Sequence, residues 1–449
     1  MPSNRIPNDH LRRLLAQSGW TAHSLAQAVN TLGAQSGVRL TYDRTSVAHW
    51  LAGSRPPAPV PDLVSRALSK RLRRPVGTHE TGLDPGSAHW RQPAHPGGTR
   101  GSAEARLNEL CRMDLDPLRR AALLSLPYRP STVAVRLRTE ASTADPSRAR
   151  PLRGPAGPTT CTLDGMTTVF ESLSEHHGGG HARTSLITYL ADTALPQLVR
   201  APGERSRRRL FGAVARLSHV LAASSLDIGA HGLTQQYHQL TIALAAEADD
   251  PSIRPQALYS MSVHAHLLGH LGHAMALSDA ALDAAGAAVP TQLRALVLTQ
   301  QAHVQAALGK RHKAASGLAA AERHSRGAGS RTYHHGTLEY RRAACLLALG
   351  NHRAAVSVLD GSLRSGSDGP ARTRTLSHAL LATAHLRAGR PEPAWRHSNA
   401  FLDQAGHFDS YLVRAALDRL RGEYRGAEVP AELATRLARH AVSVPAGTK

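Results

Sequence analysis

The chain has 449 residues, with 54 Lys and Arg against 33 Asp and Glu, a formal net charge of +21. That length exceeds what one hydrophobic core usually serves, so two or more domains are expected, and a surface this positive attracts polyanions, of which phosphate backbones are the usual kind. Aromatic residues are only 4% of the chain, which argues against stacking platforms for single strands and favours duplex DNA over RNA.

Only four of the basic residues are lysines (Lys70, Lys310, Lys313 and Lys449), and the other 50 are arginines beside abundant Ala, Gly and Pro, the composition of a GC-rich genome. The charge is uneven: residues 1–156 hold 23 basic and 11 acidic residues (+12), and residues 157–449 hold 31 and 22 (+9) over almost twice the length. The three cysteines, Cys111, Cys161 and Cys345, are far apart and form no CxxC, so neither a disulfide framework nor a zinc ribbon fits. Cys161 and Cys345 read as small apolar packing residues. The N-terminus MPSNRIPNDHLRRLL lacks an apolar h-region, and no window reaches about 18 uninterrupted apolar residues. A soluble cytoplasmic protein is expected, nucleoid-associated when bound to DNA, with no membrane partner.

Residues 8–76 are helical in pattern. Leu11, Leu14 and Leu15 recur at helical spacing, and so do Leu25, Ala28, Val29 and Leu32, with Thr21 as N-cap of the second set. A short third helix starts near Thr45. A fourth, from Pro61 to about Leu72, carries Leu63, Val64, Ala67, Leu68 and Leu72 on one face.

The third helix lies in DRTSVAHWLAGSRPP, residues 43–57. In a helix-turn-helix the second helix enters the major groove, and its first residues reach base edges. Such a helix must be short, exposed at its N-terminus and anchored from behind. Asp43 or Thr45 can cap it, Val47, Trp50 and Leu51 can pack inward, and Gly53 ends it. Arg44, Thr45, Ser46, Ala48 and His49 then face out. SKRLRRP, residues 69–75, adds Lys70, Arg71, Arg73 and Arg74 as a candidate phosphate clamp; the alternative is pairing with the dipole of the fourth helix.

SVAHWLAGSRPP resembles the S-x-V-S-R-W-E-x-G-x-R-x-P run of the phage-repressor-like, xenobiotic-response-element (XRE) type helix-turn-helix family. Val47, Trp50, Gly53 and Arg55 match; His49 stands where that family often has Arg, and Ala48 where it has Ser. Leu25 and Ala26 sit like the Leu-Ala of the family's preceding helix. The departure is GAQSGVRLTYDR before Thr45, about a dozen residues where the motif has a turn of 3–4. A longer preceding helix and a surface excursion of VRLTYD would accommodate it.

From Gly77 to Ser102 the pattern dissolves into TGLDPGSAHWRQPAHPGGTRGS, read as a flexible linker. A helix is expected from about Ala103 to Leu126, then a second Pro/Gly-rich stretch, RARPLRGPAGPTT, ending at Thr160. From Leu163 onward the pattern is almost entirely helical and repeats itself. LDIGAHGLT, LGHLGHAMAL, AALGKRHKAA, LALGNHRAA and LRAGRPEPA place turn glycines at Gly229, Gly272, Gly309, Gly350 and Gly389, separated by 43, 37, 41 and 39 residues. Two helices per period near 40 describe a helical solenoid, in which stacked neighbours bury what one unit cannot. The Leu-Gly pairs, with Ala314, Ala355 and Ala394 five residues after their glycines, resemble tetratricopeptide repeats of longer than usual period and without most of the motif's Trp and Tyr. SYLVRAALDRL onward reads as a capping helix pair.

The whole chain resembles a group of actinobacterial regulators that join such an N-terminal domain to a tetratricopeptide-like array. GWTAHSLAQAVN, YDRTSVAHWLAGSRPPAPVPDLVSRALSKRL, DLDPLRRAALL, GGGHARTSLITYLADTALPQL and LDIGAHGLTQQYHQLTIALA carry that likeness. It implies a DNA-binding transcriptional regulator and no particular ligand.

Two other runs invite a chemical reading. HHGGGHART, residues 176–184, could offer backbone N–H groups to an anion, but no GK[ST] follows; His176, His177 and His181 could hold a metal, but the run itself contains no carboxylate or thiol to complete a set. A Gly-rich turn between packed helices is the plainer reading. His266, His270 and His273 share a face only if a helix continues through Gly269 and Gly272; with 27 histidines in the chain, a chance cluster is the plainer reading. No GxSxG or paired carboxylates ask for an enzyme, and no cofactor or metal is expected.

The expected architecture is all-α. It comprises a helix-turn-helix domain (1–77), a linker (78–102), a short helical segment with a second linker (103–160) and a tetratricopeptide-like solenoid (161–449). The expected function is a transcriptional regulator that binds double-stranded DNA as a homodimer, its solenoid groove serving dimerisation or a peptide, small-molecule or protein ligand. The alternative is an interaction scaffold with weak DNA binding or none.

Overall fold

The computed structural model describes residues 7–35, 38–57, 59–72, 76, 78–83, 102–130, 157–248, 250–286, 289–325, 335–364, 371–425 and 429–439. Among them the fold is all-α, and the chain divides into two compact units, Met1–Leu126 and Pro127–Lys449. Neither unit contains, among the described residues, a helix long and apolar enough to cross a membrane.

The first unit holds α1 (Asp9–Ser18), α2 (Ala22–Gln35), α3 (Arg44–Leu51), α4 (Val60–Leu72), the single turn α5 (Thr78–Thr81), α6 (Ala103–Leu115) and α7 (Pro117–Leu124). The apolar periodicities of α1, α2 and α4 converge on one core that begins at Leu11 and ends at Leu83. Asn8 ties the ends of this bundle together. Its Oδ1 caps α1 by accepting the Leu11 N–H at 3.0 Å, its own N–H donates to the Leu51 carbonyl at 2.9 Å, and its Nδ2 donates to the Thr81 carbonyl at 2.9 Å. Thr21 caps α2 by accepting the Ser24 N–H at 3.1 Å.

Two expectations about the following segment change. Residues 78–83 belong to the packed bundle, with Leu83 fully buried in its core. The single helix expected over 103–126 is two helices, broken at Asp116-Pro117, and both lie in the first unit. Asp116 caps α7 through the Leu118 N–H at 3.0 Å and pairs with Arg66 of α4 at 2.9 Å. Arg119 reaches both Asp116 and Asp62 at 2.8 Å. Asp116 and Arg119, the nearly buried charges of this set, are each paired on two sides, which is the condition under which burial of charge is tolerated.

The second unit is a solenoid-like array. It opens with α8 (Pro158–His177), α9 (Arg183–Tyr189), a π-helical turn over Leu190–Ala194 and α10 (Leu195–Val199). The hairpins follow: α11 (Glu204–Asp227) with α12 (His231–Glu247), α13 (Ile253–Leu267) with α14 (Leu271–Ala284), α15 (Thr291–Ala307) with α16 (Arg311–Ser325), α17 (His335–Ala348) with α18 (His352–Arg364), and α19 (Ala371–Arg387) with α20 (Pro391–Ala405). The terminal pair is α21 (Tyr411–Glu423) and α22 (Ala431–Arg439).

The five hairpin turns are built alike. Gly229, Gly269, Gly309, Gly350 and Gly389 all take positive φ, between 71° and 83°, at separations of 40, 40, 41 and 39 residues. After each, the next N–H donates to the carbonyl five residues back: Ala230 to Ser225, His270 to Ala265, Lys310 to Gln305, Asn351 to Leu346 and Arg390 to His385, at 2.8–3.0 Å. This is the Schellman closure, which needs the left-handed conformation that glycine adopts without steric cost. The residue five positions after each glycine (Thr234, Ala274, Ala314, Ala355, Ala394) is fully buried. The turn glycine of the second repeat is therefore Gly269; Gly272, expected in that role, is the second residue of α14.

Early and late helices of this array meet. The Asp227 carboxylate, at the end of α11, accepts the Gly179 N–H at 2.8 Å, the Ser410 hydroxyl and one guanidinium nitrogen of Arg372. A second nitrogen of Arg372 pairs with Glu175 of α8 at 2.5 Å. Burial alone pulls the guanidinium pKa of Arg372 down, and the Asp227 and Glu175 carboxylates more than reverse it. The glycine run of HHGGGHART lies against this hub: a Cβ on Gly178 would stand 2.3 Å from the Asp409 carbonyl oxygen, and one on Gly179 2.6 Å from the Asp227 Cβ. The run does present an N–H to an anion, and that anion is the chain's own Asp227. Cys345 is buried, whereas Cys161, expected to pack inside, is exposed in the first turn of α8.

Candidate nucleic-acid interface

The short helix α3 is fixed at both ends. At its start, Asp43 Oδ1 accepts the Ser46 N–H and the Ser46 hydroxyl, both at 2.8 Å, while the Asp43 N–H donates back to Ser46 Oγ at 3.4 Å. This is a capping box with Asp43 as the cap. Accepting first the Ser46 backbone N–H and then its hydroxyl holds the Asp43 carboxyl below the usual carboxylate range. At the other end Gly53, at φ 98°, donates to the Trp50 carbonyl, and Ser54 donates to the His49 carbonyl, the same Schellman closure as at the hairpin turns.

The back of α3 is apolar and anchored. Val47 and Trp50 are buried, Leu51 packs partly against the same core, and the Trp50 ring meets Tyr42 edge-on with centroids 5.1 Å apart. Arg44, Thr45, Ala48 and His49 are exposed. Ser46, expected among the outward groups, is half-buried, and its hydroxyl is engaged in the cap. Residues 44–57 contain no carboxylate, and Arg55 is exposed beyond the turn.

The dozen residues before Thr45 divide into two parts. Helix α2 runs on to Gln35, and residues 38–43 return along the bundle. Asn30 holds the return by donating Nδ2 to the Tyr42 carbonyl at 2.7 Å and accepting the Tyr42 N–H at 3.0 Å. Along this run Val38, Leu40 and Tyr42 are half-buried, while Arg39, Thr41 and Asp43 are exposed. Leu40 sits over Gly33, where a Cβ would stand 2.6 Å from its Cδ1. Arg39 is thereby presented on an anchored segment just ahead of α3. Sequence reasoning missed it, although the two-residue alternation of V-R-L-T-Y-D marks it as outward.

Of the candidate phosphate clamp, Lys70 is exposed. Arg71 is exposed but directs its Nε to the Ser18 carbonyl at 3.0 Å, closing the C-terminal end of α1 beside Gly19. Arg73 and Arg74 lie outside the described residues. The structure thus brings Arg44, Thr45, Ala48 and His49 together on one short helix, and assigns Ser46 and Arg71 to holding the bundle.

The other histidine-bearing run does not form one face. Helix α13 ends at Leu267, His266 packs against His303 with centroids 4.4 Å apart, and His270 and His273 lie beyond the turn. His177 and His181 pack ring to ring, with centroids 4.6 Å apart. Among the described residues, no group of three or more His, Cys, Asp or Glu is arranged to hold a metal ion.

No curated protein matches this chain. Residues 11–84 match the family model described as the SP15 N-terminal domain. That match runs from within α1 to just past α5 and spans every member of the bundle's core, from Leu11 to Leu83.

Proposed function

We propose that this chain is a DNA-binding transcriptional regulator of the phage-repressor-like kind, with α2 and α3 acting as a helix-turn-helix and α3 entering the major groove. The observation that carries this reading is the front of α3, which, behind its capping Asp43, turns Arg44, Thr45, Ala48 and His49 outward from a helix fixed at both ends. Each group suits a base edge. A guanidinium spans O6 and N7 of guanine, an imidazole and a hydroxyl donate or accept, and a methyl packs on thymine. Arg39, Arg55 and Lys70 would contact phosphates and set register. A homodimer would place two copies of α3 about one turn of DNA apart. The repeat array would mediate dimerisation, effector sensing or both, in the cytoplasm, in the manner of tetratricopeptide-like regulators.

A mobility-shift assay with genomic fragments tests this. Binding that selects a few fragments and weakens steeply with salt is expected, because displaced counterions dominate such binding.

The engagement of Ser46 and Arg71 within the bundle favours a second reading, an interaction scaffold whose basic first unit binds DNA weakly. Equal weak retention of every fragment would select it.

A further inference from the structure

The first residues of the second unit, Pro127–Pro130, are held against the helical array as a bound peptide would be. Gln235 of α12, itself buried, donates Nε2 to the Arg129 carbonyl at 2.8 Å and accepts the Arg129 N–H at Oε1 at 3.0 Å. One side-chain amide thus satisfies both backbone groups of one residue. That two-point contact reads an extended main chain whatever its side chain is. The neighbouring Tyr128 ring enters a frame of histidines. It stacks on His270 with centroids 5.4 Å apart and planes at 14°, and meets His264 and His273 edge-on at 4.8 and 6.3 Å. His264 is in turn held by His231 through a contact of 3.1 Å between ring nitrogens.

The fit is incomplete in one respect. The Tyr128 hydroxyl and His273 Nε2 are buried yet have no hydrogen-bonding partner among the described residues. A buried polar atom without a partner is costly, so the segment fills the frame without meeting all of its polar groups. A ligand offering the same backbone and ring together with the missing polar contacts would bind the frame better than Pro127–Pro130 does.

We infer that Gln235, His264, His270 and His273 form a binding site for an extended peptide carrying an aromatic side chain, and that residues 127–130 occupy it as an internal surrogate. This deepens the effector-sensing part of the proposed function and rests on it. Gln235 supplies the backbone contact, the histidines select the ring, and an incoming peptide must displace Tyr128. The ligand class is accordingly a peptide with an aromatic residue followed by one whose N–H is free to reach Gln235.

The test uses the full chain and a fluorescein-labelled peptide, Ser-Leu-Pro-Tyr-Arg-Pro, in fluorescence anisotropy. Wild type, Tyr128→Ala and Arg129→Pro are compared; the last keeps the ring but removes the N–H that Gln235 accepts. Both variants are expected to bind the peptide at least tenfold more tightly than wild type. Adding Gln235→Ala to either should abolish that gain, and replacing tyrosine by alanine in the peptide should abolish binding. Equal affinity for wild type and both folded variants, or a gain that survives Gln235→Ala, overturns the inference. No DNA is present in the assay. A loss of DNA binding in Arg44→Ala would therefore leave its result unchanged, and failure of the peptide to bind would leave the DNA-binding reading standing.

Discussion

Asp227 and Arg372 form a buried ion pair between residues 145 apart in the sequence, one at the end of α11 and the other in the first turn of α19. Through Glu175 and the Gly179 N–H the same pair reaches α8 and the turn that follows it. Contacts in a helical-repeat array are ordinarily between neighbours. Here a polar hub joins early and late helices directly, which makes the stability of the array depend on both.

Removing either partner strands the other's charge. Arg372→Ala is expected to cost about 3–5 kcal/mol, seen as a lower urea midpoint by circular dichroism. In a double-mutant cycle with Asp227→Ala the two losses should be strongly non-additive. Additive losses would show that the residues do not act together.

Ser46 and Arg44 are neighbours at the front of α3 with different work. Ser46→Ala removes the reciprocal cap and is expected to lower stability by about 1 kcal/mol while leaving sequence selection unchanged. Arg44→Ala is expected to leave stability within about 0.5 kcal/mol and to weaken selective DNA binding by about 1–3 kcal/mol. Thermal unfolding and titration of DNA on both variants separate the roles; a Ser46→Ala variant with altered preference would return its hydroxyl to the reading face.

The glycines of the second hairpin give a contrasting pair. Gly269 holds φ 80° and Gly272 lies in α14, with open space where a Cβ would stand in both cases. Gly269→Ala is expected to destabilise by about 1–2 kcal/mol, the cost of a left-handed residue with a Cβ. Gly272→Ala is expected to be neutral or to stabilise by up to about 1 kcal/mol, the gain in helix propensity. Reversed signs in chemical denaturation would assign the turn to Gly272.

Acid sensitivity should follow from the buried histidines. Burial, reinforced in each case by neighbouring histidines or arginines, lowers His264 and His303 to about 3 and His266 to about 4; burial alone lowers His219 to about 4. Unfolded histidine titrates near 6.5, so between about pH 6.5 and 4 the unfolded chain binds more protons and folding stability falls as pH falls. From pH 7 to pH 5 one such histidine removes about 2 kcal/mol. Urea unfolding measured at both values should show at least that loss, and a flat profile would mean these rings are solvated in the native state.

Periodicity made the helices and the repeat legible, because apolar spacing along a helix is written directly in the sequence. The phase of a turn is less so. Gly269 and Gly272 are both adjacent to a helix boundary, and the evenness of 40, 40, 41 and 39 against 43, 37, 41 and 39 was the signal that distinguishes them. In the candidate interface, the anchored back of α3 was legible from Val47 and Trp50. The cap was half legible: an Asp three residues before a Ser marks a helix start, but not that the serine hydroxyl turns back to it. Asn8, Asn30 and Gln235 were not legible at all, since each works by joining backbone groups remote in sequence. The docking of α6 and α7 onto the first bundle depends likewise on Arg66, Arg119, Asp62 and Asp116, whose pairing has no periodic signature.

The most direct measurement is selection of genomic DNA fragments by the purified full-length protein, followed by sequencing, for wild type and for Arg44→Ala/His49→Ala. Wild type should enrich a shared motif with twofold symmetry, and the double variant, with unchanged circular dichroism and thermal unfolding, should lose it. Enrichment of the same motif by both proteins, or of none by wild type, would contradict a reading of DNA through α3.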